Sequence, residues 1–174
     1  MIDLRYQCRP TMSHFNAAEI IPQPSGCFTV DELKPGMSAE RTYTISHEDV
    51  VRFSEMSGDW NPAHHDEEYA AMSIFRQRVA HGMFSVAQFS GLLGMDLPGL
   101  GTLWLKQSVE FLKPAFLGHQ FRALVSVTLV DIETNTVTLR TECFDQEGDR
   151  IISGEAVVKP IPVKVRSRII ERPA

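Results

Sequence analysis

The stretch HGMFSVAQFSGLLGM, residues 81–95, decides the architecture. It is apolar nearly all the way round and rich in small residues, without the polar face that a surface helix keeps. A helix of this composition has to be enclosed by other structure. The segments that can enclose it follow in the chain: TLWLKQSVEFL (102–112), FRALVSVTLV (121–130), TVTLRTECF (136–144) and RIISGEAVVK (150–159) have strand composition or alternation. The turn segments KPAFLGH, DIETN and DQEGD separate them. A long antiparallel sheet packed on one buried helix, an α+β fold, is the expectation.

Working back from the buried helix, PQPSG (22–26) and KPG (34–36) are turn punctuation, and SAERTYTI (38–45) reads as a strand. Ser46 stands three residues before Asp49 and precedes apolar Val50, Val51 and Phe53, which predicts a capped helix ending at Gly58. Pro62 blocks an easy continuation, and DEEYAAM (66–72) restarts helical composition with acids in its first turn. The segment GDWNPAHH therefore falls on a tight turn between two short helices.

At 174 residues the chain has the length of one domain. Its 43% hydrophobic and 22% charged content is that of a globular protein, and no apolar run approaches the length of a membrane span. The formal net charge of -5 gives no general attraction to nucleic acid or to an anionic membrane. Cys8, Cys27 and Cys143 are odd in number and form no C-x-x-C pair, so neither a disulfide framework nor a zinc ribbon is expected and a reducing, cytoplasmic compartment fits. The first 28 residues have no continuous apolar segment of the secretory kind. They read as a flexible arm or as the result of a translation start placed ahead of Met12.

The polar turn carries the candidate chemistry. Asp59 and His64 are five positions apart with a proline between them, so helical pairing does not bring them together, whereas a rigid turn could. Asn61 ties turns to their own backbone and Pro62 fixes one dihedral. A neutral imidazole beside an oriented carboxylate can take a proton from water. The competing reading has Asp59 as a turn cap and His64 as an ordinary surface residue. Gly82 opens the buried helix, where unpaired amides and the positive dipole end meet developing negative charge; close packing is its other explanation. Ser90, eight residues later and about two turns along, either donates to a carboxylate or bonds its own helix carbonyl.

FSEMSGDWNPAHHDEEYAA followed by VAHGMFSVAQFSGLLG resembles the MaoC-like (R)-specific enoyl-CoA hydratases, also called hydratase 2, including those that feed polyhydroxyalkanoate synthesis. The G-D-x-N-P-x-H pattern is present as Gly58, Asp59, Asn61, Pro62 and His64, a chance match on the order of one in ten thousand or less. LKQSVEFLKPAFLG and SGEAVVK echo later strands of that family, and the similarity runs from about residue 30 to about residue 160. The resemblance implies a hot-dog fold, in which a long antiparallel sheet wraps a central helix, and a homodimer. It implies a catalytic pair, Asp59 and His64, with the amide of Gly82 as oxyanion donor, Asn61 shaping the turn and Ser90 orienting the acid. The implied reaction is reversible addition of water to a trans-2-enoyl thioester of CoA or acyl carrier protein, giving the (R)-3-hydroxyacyl thioester without metal or redox cofactor. Where the family usually has a branched aliphatic residue between proline and histidine, this chain has Ala63, which puts acyl-chain preference in question.

The implied organisation is an N-terminal extension over 1–28, the domain over 29–162 and a solvated C-terminal tail over 163–174. His64, His65, Asp66 and His81 lack the H-x-x-x-H spacing of a zinc helix, and His65 is expected to be exposed, with His81 supporting the helix start. Ser85 and Ser90 lack the flanking glycines of a nucleophile elbow, and neither a dinucleotide fingerprint nor a Walker A sequence occurs. A thioesterase is the nearest enzymatic alternative; a non-catalytic acyl-thioester binding module is the alternative from another class.

Overall fold

The computed structural model describes residues 25–170. Of the expected extension, residues 1–24 lie outside them, and residues 25–28 are already tied to the fold: the amides of Ser25 and Gly26 donate to the Met95 carbonyl and that of Phe28 to the Pro98 carbonyl. Strand β1 (Ser38–Thr44) leads into helix α1 (His47–Ser57). Ser46 and Asp49 close a reciprocal capping box at its start, and Gly58, at φ 78°, ends it in the left-handed conformation. A one-turn helix α2 (Pro62–His65) and a short α3 (Glu67–Met72) follow. The central helix α4 spans Gly82–Gly91 and widens into a π-helical turn over Leu92–Asp96.

Four strands then complete the sheet: β2 (Leu103–Phe111), β3 (Gln120–Asp131), β4 (Thr136–Phe144) and β5 (Arg150–Lys159). All pairings are antiparallel and the order is β1-β3-β4-β5-β2. The alternation of β3 translates directly into burial, with Phe121, Ala123, Val125 and Val127 turned inward and their neighbours outward. Phe89, Leu92 and Leu93 of the central helical segment are buried in the same core as Val125, Leu139 and Val158 of the sheet. Burial of this apolar surface stabilises the fold by about 25 cal/mol per Å². The sheet wraps α4 as a bun wraps its filling, the hot-dog arrangement that the resemblance implies.

The start of the C-terminal tail is exposed at Val163, Lys164 and Val165, as a solvated end would be, but is held to the domain through Arg166. Residues Val163–Ile170 form helix α5, and Arg166 pairs with Glu32 while its guanidinium also donates to the Cys27 carbonyl at 3.1 Å. Among the described residues no helix is long and apolar enough to cross a membrane.

Candidate active site

The polar turn is built by its own side chains. The Asn61 side chain accepts from the Ala63 amide at 3.0 Å and so caps α2, with Pro62 in its first turn. Asp59 accepts the Asn61 amide at 3.1 Å through Oδ1, which leaves Oδ2 directed at His64 Nε2, 3.7 Å away. The histidine thus stands on a one-turn helix that the sequence pattern merges into the turn. Its other nitrogen, Nδ1, is 2.7 Å from the Val79 carbonyl. A carbonyl only accepts, so Nδ1 carries hydrogen and Nε2 is the nitrogen left to act as a base. Val79 is itself held, its amide donating to the Ala63 carbonyl at 3.2 Å, so ring and anchor belong to one rigid unit.

A cleft of about 550 Å³ opens beside this unit, lined by Asn61, Ala63 and His64 on one wall, by Gly82 and Ser85 of α4, and by Phe111 of β2. Asp59 is not part of the lining; it stands behind His64 with its side chain half exposed. Gly82 is the first residue of α4, and its amide belongs to those a helix start leaves without an intrahelical partner. Asp59, Asn61, His64 and Gly82 therefore come together as the sequence suggests.

Ser90 does not join them. It is exposed, lies outside the cleft lining, and its hydroxyl makes no hydrogen bond among the described residues. Eight residues advance a helix by two turns and about 80°, enough to swing Ser90 off the face of Gly82. The serine that does border the cleft is Ser85, fully buried, its hydroxyl without a hydrogen-bond partner among the described residues. A position three residues after Gly82 shares its face more closely than one eight residues on, which is the signal that distinguishes them.

His65 is also not exposed as expected. It is half-buried under the ring of Trp60, and its Nε2 is 2.8 Å from the hydroxyl of buried Ser54. Burial lowers its pKa, and the neighbouring His64, His81, His47 and Arg78 act in the same direction. Ser54 escapes a reading by type, although a serine four residues after buried Val50 marks a polar group on the inward face of α1.

His81 caps α4 with its side chain turned back to the polar turn. Its Nε2 is 3.0 Å from the Asp59 carbonyl, and its ring lies against that of His64 with centroids 3.8 Å apart. Asp59 Oδ2, His64 Nε2 and His81 Nε2 all lie within 4.8 Å of one another, the spacing of a possible metal site. The His81 nitrogen, however, carries the proton it gives to the Asp59 carbonyl and offers no lone pair there.

A MaoC like domain matches residues 30–147. The (R)-specific enoyl-CoA hydratase of Rhodospirillum rubrum is 41% identical over 128 residues, 74% of this chain and 88% of that protein. That of Aeromonas caviae is 38% identical over 131 residues, 75% of this chain and 98% of its own length. A solved structure of the (R)-hydratase from A. caviae involved in PHA biosynthesis superposes with a TM-score of 0.73 at 39% identity, covering 74% of this chain and 98% of that one.

Proposed function

The chain belongs to the MaoC-like family, and we propose that it is an (R)-specific enoyl-CoA hydratase, interconverting trans-2-enoyl-CoA and (R)-3-hydroxyacyl-CoA with Asp59 and His64 as the water-handling pair. The observation that carries this reading is the 3.7 Å separation of Asp59 Oδ2 and His64 Nε2 beside a cleft that the start of α4 borders. A water at about 2.8 Å from each atom fits that gap, donating one hydrogen to each.

In the hydration direction, the thioester carbonyl of the substrate accepts from the Gly82 amide, which polarises the conjugated double bond. The water oxygen bonds to the β-carbon while its proton passes to His64 Nε2, and the electron pair of the double bond moves onto the thioester as an enolate. Collapse of the enolate takes a proton at the α-carbon from the same pair, so that one water is added and the site returns to its starting charge. Asp59 offsets the positive charge that His64 carries in between. This chemistry requires neither metal nor redox cofactor. Dehydration is the same sequence reversed.

The active unit in this reading is a homodimer in the cytoplasm. β2 is an edge strand that leaves Leu103 and Leu105 exposed, and Met83, Phe111 and Leu112 add apolar surface around the cleft. A second copy would cover such a surface and close the cleft.

The test is product analysis with crotonyl-CoA and longer enoyl-CoAs. The reading expects (R)-3-hydroxyacyl-CoA with no free thiol. Release of CoA would establish a thioesterase instead, and tight binding without turnover would establish a binding module.

A further inference from the structure

Behind the reacting pair lies a buried polar chain that the hydration chemistry does not use. His81 is 4% exposed and Ser54 is fully buried, positions where polar side chains are kept only with partners. His81 Nε2 reaches the Asp59 carbonyl at 3.0 Å and the Ser54 hydroxyl at 3.2 Å; that hydroxyl reaches His65 Nε2 at 2.8 Å.

Donor and acceptor roles in this chain follow from one fixed point. The Asp59 carbonyl only accepts, so His81 Nε2 carries hydrogen. That one hydrogen is shared between the Asp59 carbonyl and Ser54 Oγ, which can only accept from it, so the serine's own hydrogen goes to His65 Nε2, an unprotonated acceptor. The remaining nitrogen of His81, Nδ1, is buried without a hydrogen-bond partner among the described residues. A proton placed there would be a buried donor with nothing to receive it, so hydrogen bonding favours the Nε2–H form of the ring.

We propose that His81 is a positioning residue for hydration: its Nε2–H pins the main chain of Asp59, its ring backs that of His64, and Ser54 with His65 fixes its orientation. The proposal rests on the hydratase reading for its kinetic consequence and on the hydrogen-bond geometry for its structural one. The short connection from Gly58 to Asn61 ties the carboxylate to α1 and α2 only through local bonds, the Asp59 amide to Ser57 Oγ at 3.2 Å and the Asn61 amide to Asp59 Oδ1 at 3.1 Å. The His81 bond links this turn to the start of α4, and therefore links the water-handling pair to the Gly82 amide across which the substrate lies. Val79 already ties the His64 side of the pair to the segment entering α4, and His81 ties the Asp59 side.

The experiment compares His81→Leu, His81→Gln and Ser54→Ala in the full chain. His81→Leu is expected to lower kcat by roughly 10- to 100-fold, with KM moved less than about threefold, because it misplaces reacting groups without touching the substrate. His81→Gln, whose side-chain amide can place a donor near the lost Nε2–H, is expected to recover most of kcat. Wild-type kcat in folded His81→Leu, or a glutamine variant as slow as the leucine one, would overturn the proposal. Imidazole nitrogen NMR reads the same chain without turnover. It should show His81 protonated at Nε2 and His65 accepting at Nε2, with Ser54→Ala shifting both resonances. The Nδ1–H form of His81, or resonances indifferent to Ser54→Ala, would overturn the proposal whatever the activity, whereas a wild type with these resonances and no turnover would count against the hydratase reading alone.

Discussion

The ring of Phe111, at the end of β2, lies directly against the α-carbon of Gly82 at the start of α4: a Cβ on Gly82 would stand 2.6 Å from Phe111 Cε1 and 2.9 Å from Cδ1. Glycine lets the ring pack this closely; no unusual dihedral is involved. The ring covers the helix start whose amide is the proposed oxyanion donor, and it is itself 54% exposed, with room to swing outward.

Gly82→Ala is therefore expected to fold normally and to lower kcat/KM at least about tenfold by displacing the ring. Phe111→Ala should lower it as well. Because both changes disturb the same ring, their losses are expected to be non-additive, with a coupling of about 1 kcal/mol or more in a double-mutant cycle of kcat/KM. Full additivity would show that the ring has no part in the effect.

Cys143 is buried on β4 with its sulfur 3.1 Å from the Tyr43 hydroxyl. Burial raises its thiol pKa to about 11, against the hydrogen bond from Tyr43 that works to lower it. The thiolate that reacts with alkylating reagents is then almost absent at neutral pH. Native protein treated with iodoacetamide at pH 7.5 is expected to remain unmodified at Cys143 by mass spectrometry, and denatured protein to be modified there.

How far the sequence carries this structure depends on the range of the signal. Ser46, Asp49 and Gly58 mark both ends of α1 because caps act within one turn, and the alternation of Phe121, Ala123, Val125 and Val127 marks β3 because a strand has period two. The enclosure of α4 follows from the lack of a polar face. What is not legible is long-range. The placing of β1 beside β3 and of β2 beside β5 is a matter of topology, and the anchor of His64 is a main-chain carbonyl at Val79 that no residue type announces. Ser90 is misplaced by a period taken to the nearest turn, and His65 is misjudged because its partner Ser54 comes from another helix. The nearness of Asp59 and His64 is legible because their turn is encoded locally by Asn61 and Pro62.

The Arg166–Glu32 pair fastens α5 to the first turn of the domain. Burial works to raise the Glu32 pKa, and hydrogen bonds from Arg166 and Thr29 outweigh it, so the carboxyl titrates below its ordinary 4.5. A carboxylate with a lowered folded-state pKa adds stability that is complete above the unfolded value and is lost as pH falls through the folded one. Arg166→Ala is expected to cost about 1 kcal/mol at pH 7 and progressively less below pH 4.5. Urea unfolding at pH 7 and pH 3.5 measures this, and an equal cost at both would contradict it.

The measurement closest to the centre of the account is kcat/KM for crotonyl-CoA, followed by loss of the enoyl-thioester absorbance, in wild type, Asp59→Asn and His64→Ala. If the two side chains share one water across their 3.7 Å gap, each substitution lowers kcat/KM by about 10²- to 10⁴-fold in a protein that unfolds like wild type, and the product of the wild-type reaction is the (R)-alcohol. Wild-type rates in either variant, or an (S)-product, would show that the pair does not handle the water.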